Sequence, residues 1–151
     1  MCGRPHERRG APVGLGVDGS SSADSASLWL EARQAMLLAK LRNGAPQGSA
    51  RMALEIATLG GAACLGRTGE LGVLQVGAVG DVAVWSLTGP AFAGAVADPI
   101  EAWLRCGPVS ARDTVVAGRP IVRSGRYVDD IRLDEMLTAH ARLSRRMQHQ
   151  E

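Results

Sequence analysis

The apolar spacing of this 151-residue chain changes near Gly69, so that no single class of secondary structure fits both halves. Before Gly69, apolar residues recur every three or four positions, as on one face of an α-helix. After it, runs such as Asp81–Leu87 alternate with glycines, which is typical of strands and turns. The sequence therefore predicts an α/β chain with a helical part over 11–68, a β part with one short helix over 69–130, and a terminal helix and tail over 131–151.

The helical part begins with one apolar run, Pro12–Val17, which predicts a buried strand closed by the acidic Asp18. A helix is expected next, capped by Asp24 or Ser25 and stopped at Asn43–Gly44. The strand would thus place an acidic side chain at its carboxyl end, followed by a polar loop.

Three further elements have clear local signals. A second helix, suggested by Ser49 and the apolar residues Met52, Ala53, Ile56 and Ala57, is expected to end near Gly60–Gly61 and to be followed by a short helical turn over Ala62–Leu65. Thr114–Ala117 and Pro120–Arg123 together predict a β-hairpin. A final amphipathic helix is expected over Leu133–Met147.

Composition and charge exclude several classes of function. The net charge is +2 and the arginines are scattered, which argues against a nucleic-acid or membrane-surface partner. No window approaches the roughly 20 apolar residues of a membrane span, and Met1–Gly10 lacks the apolar core of a signal peptide. Three cysteines without CxxC spacing favour a reduced, cytoplasmic setting. A small-molecule function is therefore expected, or none.

Gly14, Gly16 and Gly19 form a GxGxxG pattern between the expected strand and helix, the context of a dinucleotide-binding loop. Such a loop turns backbone N–H groups toward a pyrophosphate, and Asp18 would place a carboxylate beside that anion. The acidic residue expected about 20 positions later, which would bind the ribose, is also missing from the sequence. Nucleotide binding is therefore not the preferred interpretation.

Short motifs follow one another along the chain in a characteristic order. They are Val13–Ser20, Asp24–Ser25, Glu31–Leu38, Ala53–Ala62, Leu74–Gly77, Asp81–Val84, Phe92–Ala95, Asp98–Pro99, Cys106–Pro108 and Val116–Arg119. Together they resemble the amidohydrolase superfamily, in particular its cytosine-, guanine- and triazine-type deaminases and most of all the 8-oxoguanine deaminases. The resemblance runs from about Ala11 to Met147, and Met1–Gly10 matches poorly.

This resemblance implies the C-terminal piece of a (β/α)8 barrel, namely its last strand and the helices after it. The β part then corresponds to the C-terminal half of a small β-sandwich. A complete barrel takes about 250 residues, and this chain has one candidate barrel strand, so the barrel is expected to stay open. The β segments within 71–84 and 114–127 are likewise expected to lack partner strands and to leave open edges.

The resemblance also implies a catalytic role for Asp18. At the carboxyl end of the last barrel strand, Asp18 would ligate a divalent metal, zinc or iron, and act as general base on the bound water before passing the proton to the departing amine. Without the resemblance, the pattern fits equally well a carboxylate that caps its loop through Gly19 and Ser20. After Ser22 the relatives usually carry asparagine, whereas this chain has Ala23, which leaves the identity of the substrate open.

The other metal ligands of the family, a His-x-His pair and two further histidines, have no counterpart in this sequence. His6, His140 and His149 have no second ligand at metal spacing, and we interpret them as solvated or structural. Catalytic zinc sites use about three protein ligands. The chain alone is therefore not expected to hold the metal.

Three functions remain open from the sequence. The first is the C-terminal part of a metal-dependent hydrolytic deaminase, which acts on a C–N bond of a purine-like or triazine ring and is inactive alone. The second is a non-catalytic interaction fragment, which packs on a separately encoded N-terminal piece or forms a homo-oligomer through its exposed sandwich. The third is a truncated product without activity, and a start inside a longer gene would explain the poor match of Met1–Gly10. Whether the chain by itself is an enzyme is undecided.

Overall fold

The computed structural model describes residues 10–19, 21–23, 25–44, 48–129 and 132–148. Within these ranges the chain is first helical and then mixed, as predicted from the change of period. The helices are α1 (Leu28–Asn43), α2 (Ala50–Glu55), α3 (Gly61–Cys64), α4 (Pro99–Cys106) and α5 (Leu133–Gln148). The strands are β1 (Val82–Val84), β2 (Asp113–Val116), β3 (Arg119–Arg123) and β4 (Arg126–Tyr127).

α1 ends where the sequence predicts, but it begins later than expected. Ser27, extended at φ −114°, takes the N-cap position in place of the expected Ser25, and the alternative cap, Asp24, lies outside the described residues. Gly44 stops the helix with a φ of 87°, and its N–H binds the carbonyl oxygen of Lys40. Glycine adopts this conformation without steric cost, which explains the sharp end.

The predicted end of the second helix at Gly60–Gly61 is wrong. Ser49 caps α2, with its hydroxyl accepting a backbone N–H of the first turn, but the helix continues through one π-helical turn, Ile56–Gly60, into α3. Gly60 serves close contact instead, because a Cβ at this position would lie 2.1 Å from the carbonyl oxygen of Val13. The absence of a side chain on Gly60 lets the segment around Val13 pack against the helix.

Pro12–Val17 does not form the predicted strand, because residues 10–19 lie outside any helix or strand. A strand is stabilised by hydrogen bonds to a neighbouring strand, and the described residues supply no such neighbour to this segment. The segment lies along the α2–α3 helix, where a Cβ on Gly14 would come within 2.9 Å of the Cα of Gly61. The assignment of this segment to a (β/α)8 barrel therefore stays a prediction.

The core lies where α1, α2 and α4 meet. Its nearly inaccessible side chains are those of Ala32, Met36, Ala50, Ala53 and Leu104. Trp29 and Trp103 pack against this core with their ring centroids 6.4 Å apart in an edge-to-face arrangement. Trp85, which follows β1, lies 5.0 Å from the Trp103 ring. The tryptophans therefore join the sheet to the helices.

The four strands form one antiparallel sheet in sequence order, and the predicted β2–β3 hairpin is confirmed. It turns at Ala117–Gly118, where both residues have positive φ, and Asp81 Oδ1 accepts the Ala117 N–H at 2.7 Å. On β2, the Asp113 carboxylate accepts the Ser124 N–H at 3.0 Å and Arg112 Nε at 2.6 Å. The Ser124 N–H and then the Arg112 guanidinium hold the pKa of Asp113 below its ordinary value.

The predicted amphipathic final helix is confirmed as α5. It packs against no other helix or strand of the described residues, so Met136, Leu137, Leu143 and Met147 are 48–67% exposed.

None of the helices in the described ranges is both long enough and apolar enough to cross a membrane.

Candidate functional site

Asp18 closes the irregular segment 10–19 in the left-handed region of backbone space, with a φ of 60°. Aspartate is one of the few residues besides glycine that adopt this conformation readily, because its short polar side chain bonds to the local backbone. The residue is exposed. Its carboxylate is therefore open to solvent and available to a ligand.

Two local donors hold the Asp18 carboxylate. The Gly19 N–H donates to Oδ1 at 2.8 Å, and the Ser22 hydroxyl donates to Oδ2 at 3.0 Å. The first bond is the loop cap expected from the sequence, whereas Ser20, the other expected partner, lies outside the described residues. Each carboxylate oxygen has two lone pairs. One lone pair on each oxygen therefore remains for a metal ion or a proton, and capping does not exclude catalysis.

An open pocket of about 700 Å³ is lined by Asp18 and by residues of α1. Ala23, where the resemblance led us to expect asparagine, also lines it. The α1 residues that line it are Leu30, Glu31, Arg33, Gln34 and Leu37. The volume falls within the range of about 300 to 1,000 Å³ that is typical of small-molecule sites.

Arg33 fixes the α1 wall of the pocket to α4. Its Nη1 donates to the carbonyl oxygens of Leu104 and Arg105 at 3.2 and 2.8 Å. These carbonyls belong to the last turn of α4, where they have no partner within the helix. The guanidinium also lies 5.8 Å from the ring centroid of Trp29. Arg33 thus closes one helix end while it orients the wall of the pocket.

Glu101 fixes α2 to α4. Its Oε1 accepts the Ala50 N–H at 2.7 Å, and its Oε2 accepts Nε of Arg105. Partial burial raises the pKa of Glu101, but the Ala50 N–H and the Arg105 guanidinium outweigh this effect and hold the pKa below its ordinary value. Glu101 is therefore ionised over the neutral range, where it acts as a remote cap on α2.

The residues described here supply one candidate metal ligand and not a complete site. Among them, no three or more His, Cys, Asp or Glu side chains come together. His140 is exposed on α5, and His6 and His149 lie outside the described residues. Asp18 fits a single ligand position, because it is an exposed carboxylate with a free lone pair on each oxygen. A catalytic zinc needs about three protein ligands, so the remaining ones must come from elsewhere.

A sequence profile of the amidohydrolase family matches residues 4–120, more than half of the chain. The chain belongs to the amidohydrolase family. The resemblance predicted from the order of motifs is thereby confirmed. The profile match begins before Ala11, where the motif resemblance was expected to start.

Several amidohydrolase relatives match most of the chain. The 8-oxoguanine deaminase of Pseudomonas aeruginosa is 40% identical over 134 residues, which cover 89% of this chain and 29% of that protein. The crystal structure of atrazine chlorohydrolase from Arthrobacter aurescens complexed with zinc is 35% identical, with a TM-score of 0.77, over 87% of this chain and 29% of that one. A zinc-bound adenosine deaminase from Xanthomonas campestris is 28% identical, with a TM-score of 0.69, over 93% and 32% of the two chains. The chain therefore spans less than a third of the length of these relatives.

Neither Ser22 nor Glu101 was predicted from the sequence to be a functional residue. For Ser22 a signal existed in the sequence. Its hydroxyl lies four residues after Asp18, with Gly19 between them, and at this spacing it can reach back to the carboxylate. For Glu101 there was none, since its partner, Ala50, is 51 residues away in the sequence. Only the packing of α2 on α4 brings these two groups together.

Proposed function

We propose that this chain is the C-terminal part of a metal-dependent hydrolytic deaminase, acting on the C–N bond of a purine-like or triazine ring. The observation that carries the proposal is the Asp18 carboxylate, which lines the pocket of about 700 Å³ within the first of the family motifs. An 8-oxoguanine deaminase and a zinc-bound atrazine chlorohydrolase among the relatives support both the class of ring and the divalent metal.

In this proposal Asp18 is both a metal ligand and a proton carrier. A divalent metal, zinc or iron, when bound, lowers the pKa of a coordinated water toward neutrality. Asp18 takes one proton from the attacking water, whose oxygen forms the new bond to the ring carbon. As the C–N bond breaks, Asp18 gives this proton to the nitrogen, which leaves as ammonia or an amine. The second proton of the water stays with the ring product.

The apolar face of α1 supports the view that another part of the barrel completes the site. Leu30, Leu37, Leu38 and Leu41 are 41–85% exposed, and the first two of them line the pocket with Asp18. A segment that covers this face would lie beside Asp18, where the missing ligands are needed. We infer that a barrel part, in the same polypeptide or in another, covers it and that residues 1–151 alone are inactive.

A chimera tests the proposal directly. This chain replaces the 134-residue segment to which it aligns in the 8-oxoguanine deaminase of Pseudomonas aeruginosa. We expect the chimera to release ammonia from 8-oxoguanine or from a related aminopurine or aminotriazine, whereas the 151-residue chain alone does not. A chimera that folds but deaminates none of these rings would instead favour the non-catalytic interaction fragment.

Asp18→Asn is the decisive variant of this chimera. Asparagine keeps the left-handed backbone and an acceptor for the Gly19 N–H, but it cannot carry the proton. We expect kcat to fall by about 100- to 10,000-fold, the usual effect of losing a general base. Asp129→Asn, which neutralises an exposed carboxylate outside the pocket, serves as the control and should leave kcat unchanged. Equal activity of the two variants would contradict the role of Asp18.

A further inference from the structure

The Ser22 hydroxyl lies between two acceptors of the Asp18 turn. Its Oγ is 3.0 Å from Asp18 Oδ2 and 3.3 Å from the Gly19 carbonyl oxygen. A serine hydroxyl has one proton and two lone pairs, so it donates to one of these oxygens at a time. The bond to the carboxylate is shorter and charge-assisted, and it is therefore the stronger of the two.

The backbone places Ser22 for this contact. The N–H groups of Ser22 and Ala23 both donate to the Gly19 carbonyl oxygen at 3.0 Å, which folds the loop back over Asp18. Ser21, the exposed neighbour in the same turn, makes no hydrogen bond to Asp18 among the described contacts. The two serines thus form a natural pair for comparison.

We propose that Ser22 is a positioning residue for Asp18, an inference that rests on the proposed role of Asp18 as proton carrier. The Ser22 hydroxyl donates to Oδ2 and the Gly19 N–H donates to Oδ1, so that each carboxylate oxygen is held by one donor of the loop. The lone pair that remains on each oxygen is thereby held in one direction, and the carboxyl group keeps its orientation toward the reacting groups.

Three serine variants of the chimera test the inference. Ser22→Ala should lower kcat by about 10- to 100-fold, the usual effect of removing a group that orients a metal ligand, while KM changes less than about twofold. Ser22→Thr keeps the hydroxyl and should restore most of the rate. Ser21→Ala is the matched control and should behave as the parent chimera.

A second readout needs no activity. In the 151-residue chain, the ¹³C resonance of the Asp18 side-chain carboxyl group should shift in Ser22→Ala, but not in Ser21→Ala, with circular dichroism confirming that both variants fold. An unchanged resonance in Ser22→Ala would overturn the inference. The inference would also be overturned if the parent chimera is active and loses its activity in Asp18→Asn but not in Ser22→Ala. In that case the proposed function would stand. An inactive parent chimera would count against the proposed function, and the carboxyl resonance would then decide the Ser22 contact alone.

Discussion

The Glu101 carboxylate accepts the Ala50 N–H at 2.7 Å, so that a side chain of α4 caps the first turn of α2. The first N–H groups of a helix have no partner within it, and a fully buried one is costly to leave unpaired. Ala50 is completely inaccessible to solvent. Glu101 is therefore one of the long-range contacts that stabilise the core of α1, α2 and α4.

Removal of the Glu101 carboxylate should destabilise the fold. We expect Glu101→Ala to lower the free energy of unfolding by about 1 to 2 kcal/mol, since the Ala50 N–H loses a charged acceptor that is only partly screened by solvent. Urea denaturation at pH 7 measures the change. Glu135→Ala breaks an ion pair to Arg132 that is exposed on both sides and should have less effect, about 0.5 kcal/mol or below. Equal losses in the two variants would contradict the capping role.

Glu101 should also make the stability depend on pH. Its pKa is lower in the folded chain than in the unfolded chain, so its ionised form stabilises the fold above the unfolded pKa of about 4.3. This contribution is lost as the pH falls through the folded pKa. In denaturation curves recorded from pH 7 down to pH 3, the parent chain should lose more stability than Glu101→Gln. Parallel pH profiles would show that Glu101 does not contribute.

The two helical glycines should respond in opposite directions to alanine. A Cβ on Gly60 would lie 2.1 Å from the carbonyl oxygen of Val13, whereas a Cβ on Gly61 would meet no atom within 4 Å. Gly60→Ala should therefore cost about 1 to 3 kcal/mol from overpacking, and Gly61→Ala should stabilise by about 0.4 to 1 kcal/mol through lower chain entropy. Thermal and urea unfolding of both variants measure the difference, and a stabilised Gly60→Ala would refute the proposed contact.

Arg33 should not tolerate lysine. Its planar guanidinium reaches two carbonyl oxygens of α4 while it lies over the Trp29 ring, a combination that an ammonium group cannot reproduce. We expect Arg33→Lys to lower the free energy of unfolding by about 1 to 2 kcal/mol. Arg42→Lys, at an exposed position in the last turn of α1, should be nearly neutral. The account of Arg33 fails if the two substitutions cost the same.

Local signals predicted the elements that depend on local chemistry. Gly44 ends α1 as predicted, and the apolar spacing of α5 gave the limits of that helix to within about a residue. Each of these features depends on neighbours within one helical turn, and the sequence contains that information. The family, too, was predicted from motif order and is confirmed, whereas the role of Asp18 stays a prediction.

Contacts between residues that are far apart in the sequence could not be predicted from these local signals. Pro12–Val17 has the composition of a strand, but a strand also needs a neighbour, and the described residues provide none. Glycine is typical of helix ends, but the role of Gly60 depends on its contact with Val13, which lies 47 positions earlier in the sequence and close to Gly60 in space. Whether a glycine ends a helix or admits another segment depends on what packs against it.

The central claim is that Asp18 is one ligand of a metal site that another part of the barrel completes. Elemental analysis of three samples purified in parallel tests it most directly: the chimera, its Asp18→Asn variant and the 151-residue chain alone. We predict about one zinc or iron per chimera, loss of most of that metal in the variant, and no bound metal in the chain alone. Stoichiometric metal in the isolated chain, or full occupancy in the Asp18→Asn chimera, would contradict the claim.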